Sequence, residues 1–99
     1  MSSLMIPCVH LNGTNGDRLR EGYIDAHTAL RTAVDKLQGA APNARDYYVK
    51  GPDAFGRATS EHVARLAAIA KIQAELVEIY EGVQEQLDEI EKSRAMAVR

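Results

Sequence analysis

The sequence predicts an all-α protein: an N-terminal extended arm followed by an antiparallel hairpin of two helices with a long ordered loop, assembled as a homo-oligomer. Apolar residues recur at alternating steps of three and four along two long segments, which is the spacing of a packed helix face. The chain has 99 residues, of which 45% are hydrophobic and 26% are charged. That length and composition predict one ordered domain, residues 1–99, with a modest core.

Charge and cysteine content exclude several function classes. Twelve basic and 14 acidic residues give a net charge of −2, which excludes a nucleic-acid binder held mainly by phosphate contacts. The single cysteine, Cys8, excludes an internal disulfide and a multi-cysteine zinc site, and indicates the cytosol. Neither a bilayer-spanning apolar run nor a positively charged secretory start is present. We therefore expect a cytoplasmic protein with no membrane partner and no bulk nucleic acid.

Residues 1–14 are predicted to form an arm and a turn. Pro7 interrupts the apolar run and has no backbone N–H to donate, which indicates an extended arm or an edge strand. Because the arm is apolar, we expect it to pack across a helix of this chain or of a neighbour. The turn ends in a helix start, with Thr14 as the predicted N-cap in a capping box with Asp17.

Helix 1 is predicted over residues 15–38, with Gly39 as its stop. Its apolar face follows the helical spacing. The predicted face consists of Leu19, Tyr23, Ala26, Leu30, Ala33 with Val34, and Leu37.

The connection over residues 40–56 contains Pro42, Gly51, Pro52 and Gly56, which resist regular structure. Its length exceeds the two to eight residues usual between bundle helices, so the loop is functional or disordered. The aromatic residues within it favour an ordered loop.

Helix 2 is predicted over residues 57–93, supported by oppositely charged pairs four residues apart. A second, shorter stripe of apolar residues widens its apolar face in the first half. The main stripe is His62, Leu66, Ile69, Gln73, Leu76, Tyr80, Val83, Leu87 and Ile90, and the second is Val63, Ala67, Ala70, Ala74 and Val77.

The two predicted helices differ in length, at about 36 Å and about 55 Å. An antiparallel hairpin is then expected to leave the end of helix 2, from Tyr80 to Ile90, without a partner in the same chain. Self-association through helix 2 is the simplest resolution. Residues 72–91 also carry seven acidic and no basic side chains. That surface is a solvated face or a docking surface for a basic partner.

The sequence contains no motif for phosphate-loop, metalloprotease, esterase or disulfide chemistry. The three histidines, His10, His27 and His62, lie on three different segments, which argues against a metal site. We expect no catalytic residue, no metal and no cofactor.

Two polar segments are candidates for ligand binding. The first precedes helix 1, where free backbone N–H groups and the helix dipole favour an anion. Gly13 allows a close approach and Thr14 can donate its hydroxyl, while plain helix capping is the alternative. The candidate residues of this segment are His10, Asn12, Gly13 and Thr14, with Arg18 in the first turn.

The second candidate segment lies in the loop. Arg45 can bind a phosphate through two hydrogen bonds, and Tyr47 or Tyr48 can stack on a base. The alternative is an ordered loop in which Asn43 and Asp46 cap turns and the tyrosines complete the core. The candidate residues are Asn43, Arg45, Asp46, Tyr47, Tyr48 and Lys50. The two segments lie at opposite ends of helix 1, so they meet only across an antiparallel oligomer or if the loop folds back.

The motifs HLNGT, AAPN-x-RDYY-x-x-GPDAF and EH-x-x-R resemble those of a group of short phage- and prophage-encoded proteins, over about residues 6–80. Small phage accessory proteins of this shape often inhibit host defence, and some are oligomeric helical sponges for nucleotide second messengers. The resemblance thus implies a non-enzymatic binder of a small phosphorylated ligand in the infected bacterial host. The competing hypothesis is a helical protein-interaction adaptor or virion component.

Overall fold

The computed structural model describes residues 4–97 and contains two long helices. Helix α1 is Gly16–Gly39 and helix α2 is Ala54–Ala97. Between them lie two 3₁₀ turns, Ala44–Asp46 and Tyr48–Lys50. No strand occurs between residues 4 and 97, so the predicted all-α class with a long C-terminal helix is confirmed. Within that range no helix is both long and apolar enough to cross a membrane.

Helices α1 and α2 contact each other in an antiparallel register. Gly16 lies against Leu87, Arg20 Nη1 donates to Gln84 Oε1 at 2.6 Å, and the His27 ring meets the Tyr80 ring edge-on at 6.2 Å. Residue numbers rise along α1 as they fall along α2. Helix α1 therefore lies beside the middle and the C-terminal part of α2.

The inward face of α1 differs from the prediction at two positions, Ala26 and Ala33. His27 is half-buried against Tyr80, whereas Ala26 and Ala33 are exposed. The prediction that Ala26 lies on this face was therefore wrong. The larger side chain at the next position, His27, packs against Tyr80 instead. The half-buried residues of this face are Leu19, Tyr23, His27, Leu30, Val34 and Leu37.

The main stripe of α2 lies inward as predicted as far as Leu87. His62 and Val83 are buried, whereas Ile90, at the end of the stripe, is exposed. The second stripe of α2 is exposed except for Val77, which is half-buried. The remaining main-stripe residues, Leu66, Ile69, Gln73, Leu76, Tyr80 and Leu87, are half-buried.

The predicted unpartnered end of helix 2 was wrong for most of its residues. Tyr80 contacts His27, Val83 is completely buried, and Leu87 contacts Gly16. The reason is that the connection lies beside the first turns of α2, so α1 begins its contact with α2 further along. The self-association prediction therefore loses Tyr80, Val83 and Leu87 as its interface residues.

Residues 4–14 pack across α2 of their own chain. The Gln86 side chain accepts a hydrogen bond from Val9 N at 2.8 Å and donates one to the Pro7 carbonyl at 2.7 Å. Ile6 lies against Gly82, where a Cβ atom would come within 2.8 Å of Ile6 Cγ2. The glycine inside α2 thus makes room for the N-terminal segment.

The N-cap of α1 is Asn15 and not Thr14, which corrects the predicted capping box. Asn15 Oδ1 accepts hydrogen bonds from Asp17 N at 2.9 Å and from Arg18 N at 3.3 Å. An asparagine side chain reaches these N–H groups as readily as a threonine hydroxyl does. Two adjacent capping residues made the start ambiguous by one position.

We expect Asn15→Ala to lower the free energy of unfolding by about 1 kcal/mol, because it removes the acceptor for two otherwise unpaired N–H groups. The shift of the urea midpoint measures this loss. Thr14→Ala is the matched control and should leave the midpoint nearly unchanged. A larger loss in Thr14→Ala than in Asn15→Ala would restore Thr14 as the cap.

The chain is long and thin. Its extents are 74 × 25 × 22 Å and its radius of gyration is 20.7 Å, whereas a compact domain of this length has roughly 13 Å. Its accessible surface is 7769 Å², against roughly 5,600 Å² for a compact chain of the same mass. Among the described residues, Val83 alone is a fully buried large side chain. Most apolar side chains among the described residues therefore keep part of their surface in contact with solvent.

Candidate functional site

The first predicted ligand segment lies at a cleft where residues 9–17 meet the C-terminal part of α2. The cleft has a volume of about 610 Å³, and His10, Gly13 and Thr14 line it. Asn12 and Arg18 are exposed and lie outside its lining. The structure thus groups three of the five residues proposed for this segment.

A polar network already occupies the wall of this first cleft. Arg20 Nη2 lies 3.3 Å from Asp17 Oδ1, while its Nη1 donates to Gln84, and Gln84 Nε2 donates to Asp88 Oδ1 at 2.8 Å. Asn15 accepts from the N–H groups of Asp17 and Arg18, which an anion at the helix start needs. These contacts favour the capping alternative for this segment.

Gly13 serves a local contact in this cleft. Its N–H donates to the His10 carbonyl at 3.1 Å, which closes a turn. A Cβ atom on Gly13 would lie 2.7 Å from His10 Nε2. The His10 ring therefore occupies the space beside Gly13 that was predicted to admit a ligand.

The second predicted segment is organised by Asn43. Asn43 Oδ1 accepts from Arg45 N at 3.0 Å and lies 3.4 Å from Arg45 Nε, so it caps the first 3₁₀ turn. Arg45 and Asp46 are both exposed. Tyr48 is 72% exposed, so it does not complete the core. The capping role of Asn43 agrees with the alternative, whereas the exposure of Tyr48 does not.

Tyr47 and Lys50 line a second cleft of about 500 Å³, formed between the loop and the first two turns of α2. Arg57 also lines it, and Arg57 Nε lies 3.8 Å from Glu61 Oε2. Tyr47 is half-buried there. Arg57 was not among the predicted ligand residues, although the Gly-Pro-Asp turn shortly before it marks it as a residue near a helix start.

The two clefts lie near opposite ends of α1, whose 24 residues span about 36 Å. No single chain therefore brings Thr14 and Tyr47 to one ligand. Between residues 4 and 97, no group of three or more histidine, cysteine, aspartate or glutamate side chains is placed to hold a metal ion.

The largest unexplained feature is the apolar surface of α2. The α2 flank, as we call it, consists of the second stripe of the sequence analysis, and Val63 within it is 58% exposed. Its alanines are exposed as well, and Ile72 on another side of the same helix is 46% exposed. The α2 flank comprises Val63, Ala67, Ala70, Ala74 and Val77.

Comparison of the chain with family models, curated proteins and solved structures finds no match. The function is therefore inferred from the chain's own surfaces.

Proposed function

We propose that this chain is a non-enzymatic helical interaction protein that works as a homo-oligomer. The exposed apolar surface of α2 carries the proposal. Residues 63–74 include nine apolar residues among twelve, so the apolar surface of this part of α2 extends beyond the stripe that α1 covers, and a wide apolar helix surface is normally buried. Helix α1 covers the main stripe of α2, and the α2 flank stays exposed except at the half-buried Val77.

The exposed area supports the same proposal. The accessible surface exceeds that of a compact chain of equal mass by roughly 2,200 Å². A standard protein–protein interface removes about 800 Å² from each partner. The chain therefore presents enough extra surface for a stable contact while keeping its elongated form.

Light scattering coupled to size-exclusion chromatography tests the proposal. We expect a mass at least twice the 10.9 kDa of the chain across micromolar concentrations. A mass of one chain at 100 μM would overturn it. Native mass spectrometry of freshly purified protein then gives the number of subunits and any small molecule that co-purifies.

A second candidate function is the binding of a small phosphorylated ligand, and the cleft lined by Tyr47, Lys50 and Arg57 favours it. Two cations beside an aromatic ring suit a phosphate joined to a base. The resemblance to short phage proteins supports a sponge for a nucleotide immune signal in the cytoplasm of an infected host. Arg57 is only loosely paired with Glu61, so it can turn toward an anion.

Calorimetry against cyclic dinucleotides, cyclic oligonucleotides and ADP-ribose derivatives tests this second candidate. We expect Arg57→Ala to weaken binding ten- to a hundredfold, which corresponds to a charge-assisted bond of about 1.5–3 kcal/mol. Arg45→Ala is the control, because Arg45 lies outside the cleft lining. If no compound of the panel binds, the second candidate function is rejected and the interaction protein is the one that remains. If a bound ligand is recovered in cleaved form, the chain is an enzyme.

A further inference from the structure

We infer that the α2 flank binds the same flank of a second copy in antiparallel orientation, around a two-fold axis beside Ala70. The inference rests on the proposed function, since it requires that the chain assembles with itself. Beyond assembly itself, we specify which surface forms the contact, the orientation of the two copies and the register between them.

The order of residues along the α2 flank is the first argument. Its steps are four, three, four and three, with valine at both ends and alanine at the three positions between. A two-fold interface places the same patch of both copies in contact, so the order of residue types along it must match its own reverse. Centred on Ala70, Val63 lies beside the partner's Val77, and Ala67 lies within one residue of the partner's Ala74. Ala70 then lies beside the partner's Ala70.

The size of these side chains is the second argument. Steps of four and three place the α2 flank along one seam, as in coiled coils. Alanine at the centre of the seam lets the helix axes approach to the short end of the usual range, about 8 Å. The exposed alanines lose no contact within their own chain when a second helix covers them, since they touch mainly solvent.

The charge distribution along α2 is the third argument, and it selects the antiparallel orientation. Residues 54–71 carry three basic side chains and one acidic one, whereas residues 72–91 carry seven acidic and none basic. A parallel pair would place the acidic halves side by side. An antiparallel pair lays each acidic half along the partner's basic half, which is electrostatically complementary.

Cysteine cross-linking tests the register directly. In a Cys8→Ser background, Ala70→Cys is expected to form a disulfide-linked dimer on mild oxidation. Ala67→Cys alone is expected to remain unlinked, because antiparallel pairing offsets its two copies by about 9 Å, beyond the reach of a disulfide. A mixture of Ala67→Cys and Ala74→Cys is expected to link. The matched control is Ala68→Cys, an exposed alanine on another side of α2, which should stay unlinked.

Light scattering provides an independent readout. We expect Ala70→Glu to lower the mass to that of one chain, whereas Ala68→Glu, which adds the same charge off the flank, should leave it unchanged. Helical content by circular dichroism should be retained in both variants, because both positions are exposed within the chain.

The outcomes separate the inference from the proposed function. A wild-type mass of one chain would overturn both. A wild-type oligomer in which Ala70→Cys fails to link, or Ala67→Cys links to itself, would overturn the antiparallel pairing and leave the assembly in place. The antiparallel pairing is established if Ala70→Cys links to itself and Ala67→Cys links to Ala74→Cys. In that case Ala67→Cys alone and Ala68→Cys must both stay unlinked.

Discussion

Val83→Asp is expected to unfold the chain at room temperature. Val83 is 0% exposed and lies on the main stripe between Tyr80, which contacts His27, and Leu87, which contacts Gly16. Burying an unpaired carboxylate costs several kcal/mol. A domain of about 100 residues has a free energy of unfolding of roughly 5–15 kcal/mol, and a single fully buried large side chain among the described residues puts this chain at the low end, so the substitution removes most of it. Circular dichroism at 222 nm should show loss of the helical signal.

Val49→Asp is the control for this substitution, because Val49 is 74% exposed in the loop. It should keep the helical signal and nearly the same urea midpoint. If Val83→Asp melts like the wild type, then α1 does not pack on the C-terminal half of α2.

Gly16→Val is expected to lower the free energy of unfolding by about 1–3 kcal/mol, the usual cost of overpacking. Gly16 is the buried residue at the start of α1. A Cβ atom there would lie 2.5 Å from Leu87 Cδ2 and 3.1 Å from Val9 Cγ1. The added side chain would therefore force apart α1, α2 and the N-terminal segment. Urea denaturation measures the loss.

A double-mutant cycle identifies the cause of that loss. Leu87→Ala removes the nearest clashing atoms, so Gly16→Val should cost less in that background than in the wild type. Gly22→Val is the control for helix propensity, because nothing lies within 4 Å of a Cβ atom at Gly22. If Gly16→Val costs no more than Gly22→Val, or the same with and without Leu87, then Gly16 does not mark a close contact.

Local patterns predicted the helices and most of their inward faces, because both follow from spacing along the chain. The start of α1 is within one residue of the prediction, and the main stripe of α2 lies inward from His62 to Leu87. The predicted face of helix 1 included Ala26 and not His27, because side-chain size, which decides between adjacent positions, is not part of a periodicity. Asn15 and Thr14 were indistinguishable for a similar reason, since both residue types cap helices.

The register of α1 on α2 could not be predicted from spacing, because apolar stripes of equal period match at several offsets. The path of the connection decides the offset, and that path depends on contacts such as those of Tyr47 beside the start of α2. The second cleft could not be predicted from the sequence for the same reason. Lys50 and Arg57 are seven residues apart and on different elements, and only the course of the loop places them at one cleft.

The attachment of the N-terminal segment to α2 sets an order of events during translation. The hydrogen bonds of Gln86 to Val9 and Pro7 join residues 77 and 79 positions apart. At elongation rates of about 5–20 residues per second, roughly 4–15 s separate the synthesis of Val9 from that of Gln86. Throughout that interval Ile6 and Val9 cannot reach Gly82 and Gln86, the α2 residues that they contact in the folded chain. The apolar side chains of this segment therefore stay exposed on the nascent chain until α2 emerges.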